Sequence, residues 1–394
     1  MSDPTTQPDS TASGETASNG RAATSKAGRK KQKKEKVKPT FKENVRFWIK
    51  AIIVILILRA FIFEPYRIPS ESMEDTLLVG DFLIVSKLHY GARTPNTIGI
   101  PFTRIYVPGL VFPQTRLPGF SEPQRGDVAV FNYPAGTDVE RGAIPRDVPV
   151  ERRAPYIKRL VAMPGDTLSI IDKSLSINLK PVPLSETMKQ QWLAYSTDGT
   201  RPNARELEEA GYSFEGSGTT PDGRAYFAVV ATPEAARQLE ARDGIAEVTP
   251  AFLPDSVSFR DRMGPIADDL VFGPAQKWNW DQYGALVIPS AGMTIDVTRT
   301  TMETYSEVLE QYEGVEVTRT RGGGVLLNGV ERDTYTFKQN YYCAMGDNRD
   351  NSVVSRYWGL VPETHLVGKA VFKFLSFKGE FPFVRPGRFF RPIQ

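Results

Sequence analysis

The chain has 394 residues, 40% hydrophobic and 24% charged, with 32 Gly and 30 Pro. That is enough for about two to three domains with a sizeable core, and it excludes wholesale disorder, a collagen-like repeat and a polytopic membrane protein. The net charge of +3 is uneven: residues 1–38 hold nine basic and four acidic side chains, a net +5 that leaves −2 for the rest, so no global charge for nucleic acid exists. One cysteine, Cys343, excludes an internal disulfide or a CxxC clip, and two histidines, His89 and His365, leave little for a histidine-based metal site.

Residues 1–40 are Ser/Thr/Gly/Lys-rich without apolar periodicity, which predicts a disordered basic tail. Residues 41–64 follow as an expected anchor. Phe47–Phe63 reads FWIKAIIVILILRAFIF, interrupted only by Lys50 and Arg59, each close enough to an end to snorkel. A buried core helix is the rival reading. A cleaved leader is another, but no A-x-A site follows, so a single uncleaved transmembrane helix is expected. The basic N-terminal flank places that side in the cytoplasm and everything past about residue 64 across the membrane.

Beyond the anchor, short Val/Ile/Phe-rich runs bounded by Gly, Pro or Asp predict strands at Asp81–Lys87, Asp127–Asn132, Tyr156–Ala162, Thr167–Ile171 and Gly368–Leu375. The expected architecture is a mostly β catalytic body formed by residues 65–171 and 341–394. Residues 172–340 form an inserted, variable subdomain with a helix at Pro233–Ala241. The C-terminal run FKFLSFKGEFPFVRPGRFFRPIQ fits either a terminal strand with an exposed tail or a surface resting on lipid headgroups.

Three segments carry candidate chemistry. In Ile68–Asp81, IPSESMEDTLLVGD, Ser70 and Ser72 sit two apart; alone, Ser-x-Ser is as readily a turn, and a serine nucleophile needs a base within hydrogen-bond reach. His89 and His365 lie in unpersuasive contexts for that role. Lys158, in YIKRLVAMPGD (156–166), occupies the middle of an apolar run. Facing inward it would be costly unless paired or deprotonated, and desolvation favours a neutral general base; facing outward it is ordinary strand alternation with Ile157 inside. The third segment, MGDNRDNSVVSRYWG (345–359), is dense in Asp, Asn, Arg and Ser and suits a hydrogen-bonded wall beside a site, or simply a well-capped turn.

Four blocks in order, IPSESMEDTLLVGD, RGDVAVF (125–131), YIKRLVAMPGD and GDNRDNSVVSRYWGLVP (346–362), resemble the type I signal peptidases, membrane-anchored Ser-Lys endopeptidases. The resemblance implies a large antiparallel β fold on the outer side of a bacterial cytoplasmic membrane. It implies Ser72 as nucleophile, Lys158 as base, and an oxyanion hole from the Ser72 amide and the Ser70 hydroxyl. Ser352 would orient the lysine, with Asp347, Arg349 and Arg356 as structural support. Tyr66, Ile68, Leu77, Leu83, Tyr156 and Ile157 fall where that family lines shallow pockets for Ala-x-Ala-like residues. The implied partners are signal-peptide-bearing preproteins and membrane lipid, without nucleic acid, metal or cofactor.

Three positions depart from the family pattern. Asp75 replaces a common proline, Glu71 a common glycine, and Val354 an aspartate that pairs with the arginine at position 356; Asp347 or Asp350 is the expected substitute partner for Arg356. Two rival readings stay open. One is a soluble Ser-Lys protease of the self-cleaving repressor type, although those lack the anchor and the GDNRDNS block. The other is an anchored, inactive β domain that binds exported proteins.

Overall fold

The computed structural model describes residues 40–99, 105–134, 136–138, 142–144, 148–199, 202–258, 278–379 and 383–393. The expected tail therefore lies outside the described residues, apart from Thr40. The chain divides into two compact units, 1–51 and 52–394.

A helix spans Phe41–Phe61 across the division. It begins where Thr40 and Glu43 cap each other: the Thr40 amide donates 2.7 Å to the Glu43 carboxylate and the Glu43 amide donates back to Thr40 Oγ1. None of its residues is buried, and Trp48, Ile52, Val54, Ile55 and Ile57 are all more than half exposed. The expected full span is corrected here. No described helix is long and apolar enough to cross a membrane, because every 18-residue stretch of this one includes at least three of Lys42, Glu43, Arg46, Lys50 and Arg59.

The rest is mostly antiparallel β structure, in several sheets. The largest runs, in spatial order, Phe63–Arg67, Asp81–Ser86, Leu366–Ser376, Val128–Asn132, Pro155–Ala162, Tyr341–Met345 and Val361–Pro362, with Arg391–Pro392 added on Leu366–Ser376. All its neighbours are antiparallel. The five strands expected from sequence and the helix at Pro233–Glu240 are present, with ends shifted by at most two residues. Alternation accounts for the apolar content: Val128 and Val130 pack on one face with Leu83 and Val85, while Ala129 and Phe131 pack on the other with Leu160 and Trp358. On that second face the Trp358 ring makes edge contacts with Tyr133 and Tyr156, at centroid distances of 5.2 and 5.5 Å. Each such pair adds about 0.5–1.5 kcal/mol beyond burial.

Within 172–340, two kinds of packing occur. Residues 190–250 make a four-stranded sheet covered by the helices Ala204–Glu209 and Pro233–Glu240, around a core of its own built on Leu207, Phe227, Val229 and Leu239. Residues 283–337 instead share one core with the flanking segments: Leu286, Met302, Val308 and Phe337 pack with Leu168, Tyr341 and Met345. The C-terminal run is in part a strand. Its tail is tied down by Arg388, which donates 2.6 Å to Asp81, and Arg385, which donates to the Val79 and Phe377 carbonyls. Phe383 and Phe390 stay exposed.

Candidate active site

The segment 68–80 links two paired strands as a tight loop. Ile68 and Asp81 close it by a backbone hydrogen bond, Leu77 N donates 2.7 Å to Met73 O, and the fully buried Met73 and Leu77 side chains nail it to the sheet. The Asp81 carboxylate accepts from the Leu78 amide, from Ser376 Oγ at 2.6 Å and from Arg388. Burial pulls its pKa upward, but those donors outweigh it and hold the carboxyl below the usual range. Asp75 explains why proline is absent: its φ of 74° lies in the left-handed region, which a pyrrolidine ring cannot adopt. Its carboxylate faces Lys189 at 3.5 Å, beside Glu74 at 3.3 Å.

Ser72 and Lys158 meet. Lys158 Nζ donates 2.6 Å to Ser72 Oγ, and Lys158 is only 3% exposed. It lies on the buried side of Pro155–Ala162 with Tyr156 and Leu160, so the outward-facing placement of Lys158 is not what forms, while Ile157 packs half-buried on the opposite face. Ser70 Oγ stands 3.4 Å from Ser72 Oγ. The hydrogen bond described for Ser352 runs to the Ser72 carbonyl, at 2.7 Å, where the Asn348 amide also donates at 3.2 Å. Ser352 thereby touches the backbone of the candidate nucleophile.

Of the candidate pocket residues, Ile68, Leu77 and Leu83 form one cluster, with Tyr66 and Ile157 packed against it. Tyr156 belongs to the other face, with Tyr133 and Trp358, as expected for neighbours on one strand. His89 and His365 lie apart from this arrangement: His89 Nδ1 pairs with Ser86 Oγ at 2.7 Å, and His365 is buried edge-on to Tyr312.

The support differs from expectation at one point. Asp347, fully buried, is gripped by Arg159 through two 2.8 Å hydrogen bonds, and Asp350 pairs with Lys173 at 2.8 Å, so neither serves Arg356. The carboxylate facing Arg356 is Asp281, at 3.8 Å, brought in by the inserted segment, while the guanidinium donates to the Trp280 and Arg349 carbonyls. Burial raises the pKa of Asp281 and overrides the lowering by Lys173 and Arg356. Arg349 donates to the Met345 and Met188 sulfurs, and burial, then the nearby Arg356 charge, bring its pKa down to about 10.

The residues missed by sequence reading are Arg159, Gly346, Asp281 and Lys189. Arg159 directly follows the candidate base, and Gly346 opens the third motif, so both were within sight. A Cβ on Gly346 would overlap Ser352 Oγ and Ser72 O. Asp281 and Lys189 come from far along the chain, and no local pattern marks them.

A serine hydroxyl hydrogen-bonded to a buried lysine on a β scaffold is the arrangement of the Ser-Lys hydrolase class. Comparison of sequences gives the family: the one described as "Signal peptidase, peptidase S26" matches residues 41–229 and 291–375. The chain belongs to this family of signal peptidase hydrolases. It is similar to "Signal peptidase I" of Buchnera aphidicola from Acyrthosiphon pisum, 26% identical over 88% of this chain and 79% of that protein. The proteins of the same name from Aquifex aeolicus, 26% identical over 85% of this chain and 84% of theirs, and Haemophilus influenzae, 25% over 84% and 68%, are similar too.

Proposed function

We propose that the protein removes N-terminal signal peptides from exported preproteins, with Ser72 as nucleophile and Lys158 as general base. The observation that carries this reading is the 2.6 Å contact between Lys158 Nζ and Ser72 Oγ, made by a lysine that is 3% exposed. In its neutral form Lys158 takes the hydroxyl proton as Ser72 Oγ attacks the carbonyl of the residue before the cut. The Ser72 amide and Ser70 hydroxyl stabilise the oxyanion, and the tetrahedral intermediate collapses to an acyl-enzyme as the lysine returns its proton to the leaving amine. Lys158 then activates water to free the acyl group. The cluster of Ile68, Leu77, Leu83, Tyr66 and Ile157 supports a shallow apolar pocket selective for small residues such as Ala-x-Ala.

The helix Phe41–Phe61 supports seating in a bacterial cytoplasmic membrane. Its stretch Ala51–Leu58 is wholly apolar and exposed or half-exposed, with Lys50 and Arg59 placed to reach headgroups at either end. We propose that the catalytic body works at the outer face of that membrane, where preprotein cleavage sites emerge.

Mass spectrometry of a precursor peptide bearing an Ala-x-Ala site, incubated with detergent-solubilised wild type, Ser72→Ala and Lys158→Ala proteins, tests the chemistry. Cleavage after the final Ala by wild type only is expected. Cleavage surviving in Lys158→Ala would remove the lysine from the role of base, and an uncut precursor with wild type would favour a binding domain.

A further inference from the structure

A cavity of about 560 Å³ opens where the last turns of helix Phe41–Phe61 meet the main sheet; neither Ser72 nor Lys158 is among its described lining residues, and of the candidate pocket residues it shares Tyr66. Among its described lining residues are five cations, Arg59, Lys87, Arg93, Arg152 and Arg153, against two carboxylates, Glu64 and Glu151. Glu64 is taken up by Arg59 at 2.6 Å and Lys87 at 2.9 Å, and Glu151 lies 3.7 Å from Arg152. The hydrogen bonds described for the remaining two arginines go to neutral oxygens. Arg93 donates to the Thr364 carbonyl and Asn132 Oδ1, and Arg153 to the Pro134 and Val148 carbonyls. Burial lowers the pKa of Arg93 to about 10, with Arg116 adding repulsion, and lowers that of Arg153 as well. Gln114, which lines the same cavity, adds a buried side-chain nitrogen, Nε2, with no hydrogen-bond partner among the described residues.

Beside the cavity lies an apolar ribbon. Thr97–Gly99 and Tyr106–Val111 pair antiparallel, and Ile98, Val107, Leu110 and Val111 are between 40% and 54% exposed, while Thr97 and Gly99 belong to the cavity wall. Excess positive charge in a partly desolvated space calls for an anion, and apolar surface next to it calls for hydrocarbon. A phosphate answers the first need, and only an amphiphile answers both.

We propose that this cavity binds a phosphate group, that of an anionic phospholipid, with its acyl chains running over the Ile98–Val107 ribbon. The lipid headgroup bridges Arg93 and Arg153, and Gln114 Nε2 donates to one of its oxygens. Bound there, the lipid fixes the end of the helix against the sheet.

The test uses the full chain in neutral detergent and three probes: dihexanoyl phosphatidylglycerol, dihexanoyl phosphatidylcholine and inorganic phosphate, with binding read by calorimetry and native mass spectrometry. The glycerol lipid should bind one molecule at least about tenfold more tightly than either other probe, and the double variant Arg93→Gln/Arg153→Gln should lose about that factor. Should the double variant fail to fold, Gln114→Leu keeps the test open, with an expected loss of about threefold. Equal binding of the two lipids, or glycerol-lipid binding unchanged in a folded variant, overturns the proposal. Inorganic phosphate binding as tightly as the glycerol lipid overturns it in favour of a free-anion site. Peptide cleavage is not the readout, so failure here leaves the peptidase reading standing.

Discussion

Ser352 holds Ser72 by its backbone: Ser352 Oγ donates 2.7 Å to the Ser72 carbonyl, and Gly346 lies so close to both that it has no room for a side chain. The candidate nucleophile is thus positioned from the far end of the chain. Ser352→Ala should lower kcat about 10- to 100-fold with little change in KM, because misplacing a reacting group by a fraction of an ångström weakens the attack more than the binding. Gly346→Ala should be at least as damaging, since its Cβ must push either the Ser352 hydroxyl or the Ser72 carbonyl aside. Steady-state kinetics on a fluorogenic Ala-x-Ala peptide would measure both; a Gly346→Ala enzyme with unchanged kcat would mean that this contact is idle.

Arg159 and Asp347 form a buried ionic contact under the site. The pair is bidentate at 2.8 Å, with side-chain exposures of 12% and 1%. Removing one member of such a pair strands the other, so Asp347→Ala should cost about 3–5 kcal/mol, whereas a double apolar replacement should cost much less. Urea unfolding of the single and double variants compares these, and equal costs would show that the loss is of packing rather than of charge.

How much of this was legible in the sequence follows from where each interaction lives along the chain. The strands around Ala129 and Lys158 could be read because alternation and β-branched runs are local signals. Ser72 and Lys158 could be singled out because a serine loop and a lysine in an apolar run are unusual local patterns, although their meeting is a contact between a loop and a strand, 86 residues apart. The carboxylate of Asp281 opposite Arg356 was not legible. A position without the expected aspartate shows that a partner is missing, and nothing local says that one arrives from 75 residues upstream. The apolar run reads from Phe47 to Phe63, interrupted only by Lys50 and Arg59, whereas the helix begins at Phe41 and so also takes in Lys42, Glu43 and Arg46.

The inserted segment should therefore matter to the site. Asp281 and Arg356, 6% and 4% exposed in their side chains, stand 3.8 Å apart, and Lys173 lies 4.0 Å from the same Asp281 oxygen. A double-mutant cycle with Asp281→Asn and Arg356→Gln should give a coupling of about 0.5–3 kcal/mol. Additive losses would assign Arg356 entirely to its carbonyl acceptors, Trp280 and Arg349.

Acid should act on the protein in two separable ways. His365 is buried, with its ring against Tyr312 and its Nδ1 at 3.3 Å from Thr364 Oγ1; burial, then the charges of Arg153 and Arg93, push its pKa well below the ordinary value. Its neutral form is favoured by folding, so the unfolded state binds the extra proton. Stability is then fully present above the unfolded pKa of about 6.5 and falls as pH drops below it, with a slope of at most about 1.4 kcal/mol per pH unit. His365→Gln should flatten that part of the stability curve. The rate of cleavage should still fall with acid in the variant, because the base proposed for Ser72 is Lys158 and must be neutral to act. Urea unfolding and kcat/KM, each measured from about pH 5 to 9 in wild type and His365→Gln, would separate the two. A variant whose rate profile also flattens would return the histidine to the chemistry and remove the lysine from it.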